Sequence, residues 1–369
     1  MVKTALHGPW GTPHIEYVYQ LLDKNNLPKR YLDNVQPGGR ISYDALADIH
    51  RKASLTVKDD GSIDFTSDRI KVFGRLHIPA GIVRGTEPAT GGYAEFPLGV
   101  FLLSSPKRTV DVSGTAWRTV DAYDQMKILR DDRVDGLYHI PAGTNFITAV
   151  STILTSAGIT LQNLTPTTKT LPSYREWEGG TPKATIINDL LKAINYWGLH
   201  FDEDGYAVAK PYVAPADAAS EYTYADDGQS VIVLGAVEQD LDMWDVPNKW
   251  VLYTSDPTGS LRSVYTNTNA NSPTSTTNRG YAVVRYTQVD APDQATLDAL
   301  AQRQATEDTT IYEHVRWESW AMLQHSHMDT YTLNSARDSV SGKYRETNWD
   351  LELRAGGRMS HTARKAVTV

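Results

Sequence analysis

The apolar residues of this 369-residue chain change period twice along its length, and that change limits the folds open to it. In the first third the period is two. Ile15, Tyr17, Tyr19 and Leu21 alternate with Glu16, Val18 and Gln20. A helix capped by Thr12, with Pro13 in its first turn, would also fit, but the β-branched and aromatic residues favour a strand. Short strand-like runs follow at Arg40–Asp44, Ser54–Lys58, Arg69–Leu76, Leu98–Ser104 and Arg108–Ser113, separated by Gly/Pro/Asp/Asn turn signals. Strands at such spacing predict a barrel or a sandwich.

The middle of the chain is helical in period. Thr144 is placed to cap a helix carrying Ile147, Val150, Leu154 and Ala157, with Gly158 at its end. Thr181 and Pro182 open a second, expected to carry Ile186, Leu190, Ile194 and Trp197. A hairpin is predicted at Leu199–Phe201 and Tyr206–Lys210, and Pro211–Ser220 reads as a linker. The last third returns to strands at Ile311–Leu323, Asp329–Leu333, Val340–Arg345 and Asn348–Arg354, with a turn or bulge at Gly342. One helix begins at Asp290 or Pro292, and Asn267–Asn278 reads as a long exposed loop. The expected class is therefore α+β and β-rich. The domains are drawn at 1–136 (β), 137–215 (two helices and a hairpin) and 216–369 (β with one helix).

Composition closes off several chemistries. The chain has no Cys, which excludes disulfides, thiolate metal sites and cysteine nucleophiles. The net charge of −8 makes a phosphate-gripping surface a poor expectation. No apolar run approaches the ~20 residues of a membrane span, and no secretory leader is expected. Tyr 20 and Trp 9 against Phe 6 favour amphipathic aromatics, which suit both strands and subunit interfaces.

No phosphate-binding glycine loop, nucleophile elbow or His-Glu-x-x-His motif is present. Asp202, Asp204 and Gly205 resemble part of a calcium loop, but His200 and Pro211 fall on its end ligands, so a hairpin turn is expected instead. His325, His327 and Asp329, with His314 upstream, are the best metal candidates. On one strand the two histidines would share a face. No fourth ligand is evident, so hydrogen-bonded or exposed histidines are expected and no metal or cofactor is assigned. Asp240, Asp242 and Asp245 beside Trp244 could suit a sugar, but a solvated or subunit-facing strand is the expectation there.

The ordered landmarks as a set resemble a known family. They include Phe96–Leu103 (FPLGVFLL), Ser105–Pro106, Ala122–Leu129 (AYDQMKIL), Ala142–Thr144, Ala157–Gly158, Leu190–Tyr196 (LLKAINY) and Phe201–Tyr206 (FDEDGY). Lys210–Tyr212, Pro247–Asn248, Arg279–Gly280 and Gly342–Tyr344 continue the series. The pattern resembles minor tail proteins of long-tailed bacteriophages, similar in fold to the baseplate hub of contractile-tailed phages. The resemblance implies two barrel-like β domains with an intervening helical α+β segment, and a homotrimer on the tail axis. It implies a virion component, assembled in the host cytoplasm, that lines or closes the DNA exit channel without specific nucleic-acid binding. Implied partners are the tail tube and distal tail proteins, the tape-measure protein, and downstream tip or receptor-binding proteins. Asp240, Asp242, Trp244, Asp245, Trp317 and Trp320 are the expected subunit or partner interface. No catalytic residue is expected. A cell-wall or polysaccharide hydrolase and a glycan-binding tail module stand as alternatives, and a hub of a contractile secretion machine would share the fold.

Overall fold

The structure, a computed structural model, describes residues 14–78, 83–84, 87–88, 92–225, 232–241, 243–254, 260–310 and 313–366. The chain opens with β1 (Ile15–Leu22), β2 (Pro28–Leu32), β3 (Gly39–Asp44), β4 (Arg51–Lys58) and β5 (Arg69–Ile78). A two-residue pair, β6 (Val83–Arg84) and β7 (Glu87–Pro88), precedes the long β8 (Gly92–Val110) and β9 (Ala116–Tyr123). Strand formation here follows from alternation. In β4, Ala53, Leu55 and Val57 are buried while Lys52, Ser54 and Lys58 face outward. The runs expected as two strands at Leu98–Ser104 and Arg108–Ser113 are one strand, with a register shift between Ser104 and Lys107.

The middle segment contains α1 (Met126–Asp131), β10 (Tyr138–Ile140), α2 (Phe146–Ser156), β11 (Gln162–Leu164), β12 (Arg175–Trp177), α3 (Lys183–Ala193), β13 (His200–Phe201) and β14 (Ala207–Ala209). Asn145, not Thr144, caps α2: its side chain accepts from the amides of Ile147 and Thr148. Pro182 is the N-cap of α3, which stops at Ala193 because Asn195 turns left-handed at φ 59°. Trp197 therefore lies beyond the helix, contrary to the period-based expectation. These elements enclose their own core of Leu129, Phe146, Val150, Ile153, Ile186 and Leu190 with their neighbours.

The last third is β15 (Thr223–Ala225), β16 (Ile232–Leu241), β17 (Lys249–Tyr253), β18 (Arg262–Thr266), α4 (Thr276–Arg279), β19 (Val284–Gln288), α5 (Gln294–Thr310), β20 (Glu313–Trp320), β21 (Thr330–Ser335), β22 (Val340–Leu353) and β23 (Arg358–Lys365). The two strands expected on either side of residues 346–347 are one, β22. It passes through Gly342 without a turn and is bulged between Glu346 and Asn348. Strands β17 to β19 and β23 were not anticipated. The segment Asn267–Asn278 is exposed only in part. Asn267, Thr274 and Ser275 are fully buried, and its amides and hydroxyls bond one another and the backbone.

With 44% strand and 15% helix the fold is β-rich. One sheet runs β16-β20-β23-β22-β3-β4-β9-β8-β5-β1-β2, with β21 and β15 branching from β22. The β22–β3 ladder, Asn348–Leu353 against Asp44–Gly39, joins the two ends of the chain. The N-terminal and C-terminal β regions accordingly share a single core that includes Ile41, Leu55, Ile70, Trp317, Tyr344 and Leu351. A third packing unit sets α5 on β17, β18 and β19, around Trp250, Leu252 and Leu297. Polar contacts tie the units together. Buried Arg51 on β4 reaches Glu203 in the β13–β14 turn at 2.6 Å, and Arg303 on α5 donates to the Tyr196 carbonyl at 2.7 Å.

Leu351 stands between Ile41 on β3 and Met359 on β23, and all three are buried. Leu351→Ala is expected to cost about 2–5 kcal/mol. Amides of β3 and β23 should lose hydrogen-exchange protection together. Loss confined to one half of the sheet would show that the halves unfold independently.

Candidate functional site

The chemistry-bearing side chains gather where residues 321–329 loop from β20 back to β21. This loop is not a strand, so His325 and His327 do not share a face. His325 points to the C-terminal half of the sheet. Its Nδ1 is 2.5 Å from Glu346 Oε2 and its Nε2 is 2.9 Å from the Tyr224 hydroxyl. The other carboxylate oxygen, Oε1, is 2.7 Å from His361 Nδ1, and His361 Nε2 is 2.8 Å from Ser319 Oγ. Glu346 lies opposite Ala363 on β23, two residues from His361 and on the same face. The extra residue at the bulge, Thr347, is buried on the other side. Trp317 stacks on His361 with ring centroids 4.9 Å apart. His325, Glu346 and His361 are all buried, and they are the only group of three such donors close enough to share one ion among the described residues.

The electrostatics of this cluster are set by burial opposed by pairing. Burial disfavours charge on His325, yet the adjoining Glu346 carboxylate outweighs it and raises the imidazole pKa. Burial likewise opposes the Glu346 charge, and His325 beside it holds the carboxyl below its ordinary value. His361 moves the other way: burial dominates and lowers it.

His327 belongs to a second group. Its ring stacks on His200 at 3.8 Å and 13°, lies 5.4 Å from His50, and its Nδ1 is hydrogen-bonded to the Tyr43 hydroxyl. Burial lowers the pKa of His50 to about 4 and of His200 to about 3, so these rings pack as neutral aromatics. Next to them is a cavity of about 460 Å³ at the meeting of the three packing units, lined by Trp197, Tyr212, Arg303, Arg345 and Arg364 among others. Arg303 lies 4.4 Å over Tyr212 and Arg345 5.0 Å over Trp197.

The residues expected at an interface are divided by the structure. Trp244, 83% exposed, and Asp245 are on the surface. Asp240 lies on β16, opposite His314, and Asp242 falls outside the described residues. Trp317 is a correction. It is 3% exposed, on the inward face of β20 against His361 and Tyr331, and so anchors the subunit's own core. Trp320, of opposite parity on the same strand, is half-buried. Asp202 spends its carboxylate on the hairpin turn, accepting from the amides of Asp204 and Tyr206.

No family profile matches the chain, and no curated protein sequence does. Solved structures do match its fold, which is that of phage tail proteins. The tail protein from Neisseria meningitidis MC58 superposes with TM-score 0.65 at 10% identity, covering 95% of this chain and 97% of that one. The 43 kDa tail protein of prophage MuSo2 from Shewanella oneidensis gives 0.62 at 11% identity over 95% and 98%. Prophage tail protein gp18 from Listeria monocytogenes EGD-e gives 0.55 at 11% identity over 94% of each chain.

The stacked histidines generate a pH prediction. His200 titrates at about 3 in the folded chain against an ordinary 6.5. As pH falls below the ordinary value, the unfolded chain takes up this proton first, and stability is lost down to the folded pKa. His200→Phe removes that uptake. Its stability should fall less steeply than that of the parent chain between about pH 6 and 4, by up to ~1.4 kcal/mol per pH unit. Equal slopes in denaturant titrations would show that His200 titrates normally.

Proposed function

We propose that the chain is a structural subunit of a bacteriophage tail tip, a trimeric hub that works by shape and breaks no bond. The observation carrying this reading is the end-to-end correspondence with tail proteins, 95% of this chain on 97% of the first. In this role the N-terminal and C-terminal halves of the large sheet act as two similar β units per subunit. Three subunits then present six units to a hexameric tail tube. The hub joins the tube and distal tail ring to host-recognition parts and meets the end of the tape-measure protein.

The surface supplies means of adhesion. The outer face of the β18-β17-β19 sheet exposes Val264, Val284 and Tyr286 at 47%, 42% and 68%. Val264 and Tyr286 flank Val251 in register. Large aromatic and β-branched groups on a sheet face suit burial against another subunit. The net charge of −8 suits a channel wall that repels phosphate and lets DNA slide.

Mass measurement and electron microscopy of the chain assembled with a distal tail ring test the reading. The expected particle contains three copies of the 40.9 kDa chain around an axis, with an acidic or neutral lumen. Tyr286→Glu should weaken its assembly. A chain that stays single beside the ring, or a lumen lined continuously by Lys and Arg, would overturn the proposal. Release of soluble sugars or peptides from purified cell walls would favour the hydrolase instead.

A further inference from the structure

His325, Glu346 and His361 form a buried group whose ring nitrogens and carboxylate oxygens converge. Ser319 has one hydroxyl proton, and the Trp320 carbonyl oxygen, which only accepts, lies 2.8 Å from Ser319 Oγ. With that proton on the Trp320 carbonyl, Ser319 Oγ can accept from His361 Nε2–H across their 2.8 Å contact. In a neutral imidazole this leaves the Nδ1 lone pair facing Glu346 Oε1 at 2.7 Å. Either a proton or a metal ion can bridge that contact.

We propose that His325 Nδ1, His361 Nδ1 and Glu346 bind one divalent transition-metal ion of the zinc class. Two imidazole nitrogens and a carboxylate suit zinc, cobalt or nickel better than calcium or magnesium, which prefer all-oxygen ligands. The ligand atoms already lie within 4.8 Å of one another. Metal bonds of ~2.0–2.2 Å need only a small opening of the group. The supporting shell is in place: each histidine has its second ring nitrogen on a hydroxyl, Tyr224 for His325 and Ser319 for His361, which fixes ring orientation and tautomer. The fourth position goes to a water enclosed with the ion. The ion pins the 321–329 loop to β22 and β23, three segments that no covalent bond crosslinks. Of these three ligands only His325 stood among the metal candidates read from the sequence.

The test uses the full chain unfolded in denaturant with a chelator and refolded with zinc chloride, with cobalt chloride, or with chelator alone. The expected results are one ion per chain by elemental mass spectrometry after gel filtration, a higher thermal midpoint with zinc, and visible d–d absorption with cobalt. Ser319→Ala leaves all three ligands and should retain cobalt about 10- to 100-fold more weakly with an unchanged circular dichroism spectrum. Glu346→Gln should abolish the cobalt band. Folded protein with no bound ion and equal thermal midpoints in zinc and chelator would overturn the proposal. So would a cobalt band unaffected by Ser319→Ala.

Discussion

The ladder between β22 and β3 is the constraint on which the rest of the molecule rests. It places Asp350 against Ser42, with a 2.6 Å hydrogen bond between side chains 308 positions apart in sequence. Without it, each half of the sheet would end in an unpaired central edge, exposing ladder groups and the face carrying Ile41, Trp349 and Leu351. With it, one core runs through both halves, and the helical middle segment packs as a satellite held by Arg51 and Gln125. The cost is kinetic. Such distant pairing makes the loop-closure entropy large before any contact is gained, so slow folding is inherent in this topology.

Much of the local structure was legible in the sequence. β1, β3, β4 and β5 follow directly from alternation, and α2, α3 and α5 from helical spacing. The misses have physical causes. Trp197 continued the period of α3, but Asn195 took a left-handed conformation that ended the helix. Asn267–Asn278 looked solvated because it lacks apolar residues, yet amides and hydroxyls that satisfy one another can be buried. β23 carries Arg358 and Arg364 on one face and contains no strong apolar run. The joining of the two β regions could not be read at all, since register between distant strands leaves no local signal.

The candidate site was less legible. His325 was visible, but its partners stand 21 and 36 positions away in β22 and β23 and look like ordinary strand residues there. Their convergence depends on the bulge at Thr347 and on the β22–β23 register. A usable clue existed in Met359, His361 and Ala363, where a histidine holds the buried parity of a strand. The pairing of His325 with His327 failed because the assumed strand is a loop that sends the two rings apart. Trp317 shows the ambiguity of aromatic surplus: the same residue type serves core and surface, and only parity along β20 separates them.

The partly buried polar loop between β18 and β19 has a consequence for how this fold answers changes in its surroundings. Its form is held by Asn267, Ser272, Thr276 and Asn278, none of which ionises in the ordinary range of acidity. Neither brine nor acid removes such links by neutralising or shielding a charge. This corner of the molecule therefore keeps its outline while ion pairs elsewhere loosen, giving whatever rests on it a footing indifferent to salinity and sourness.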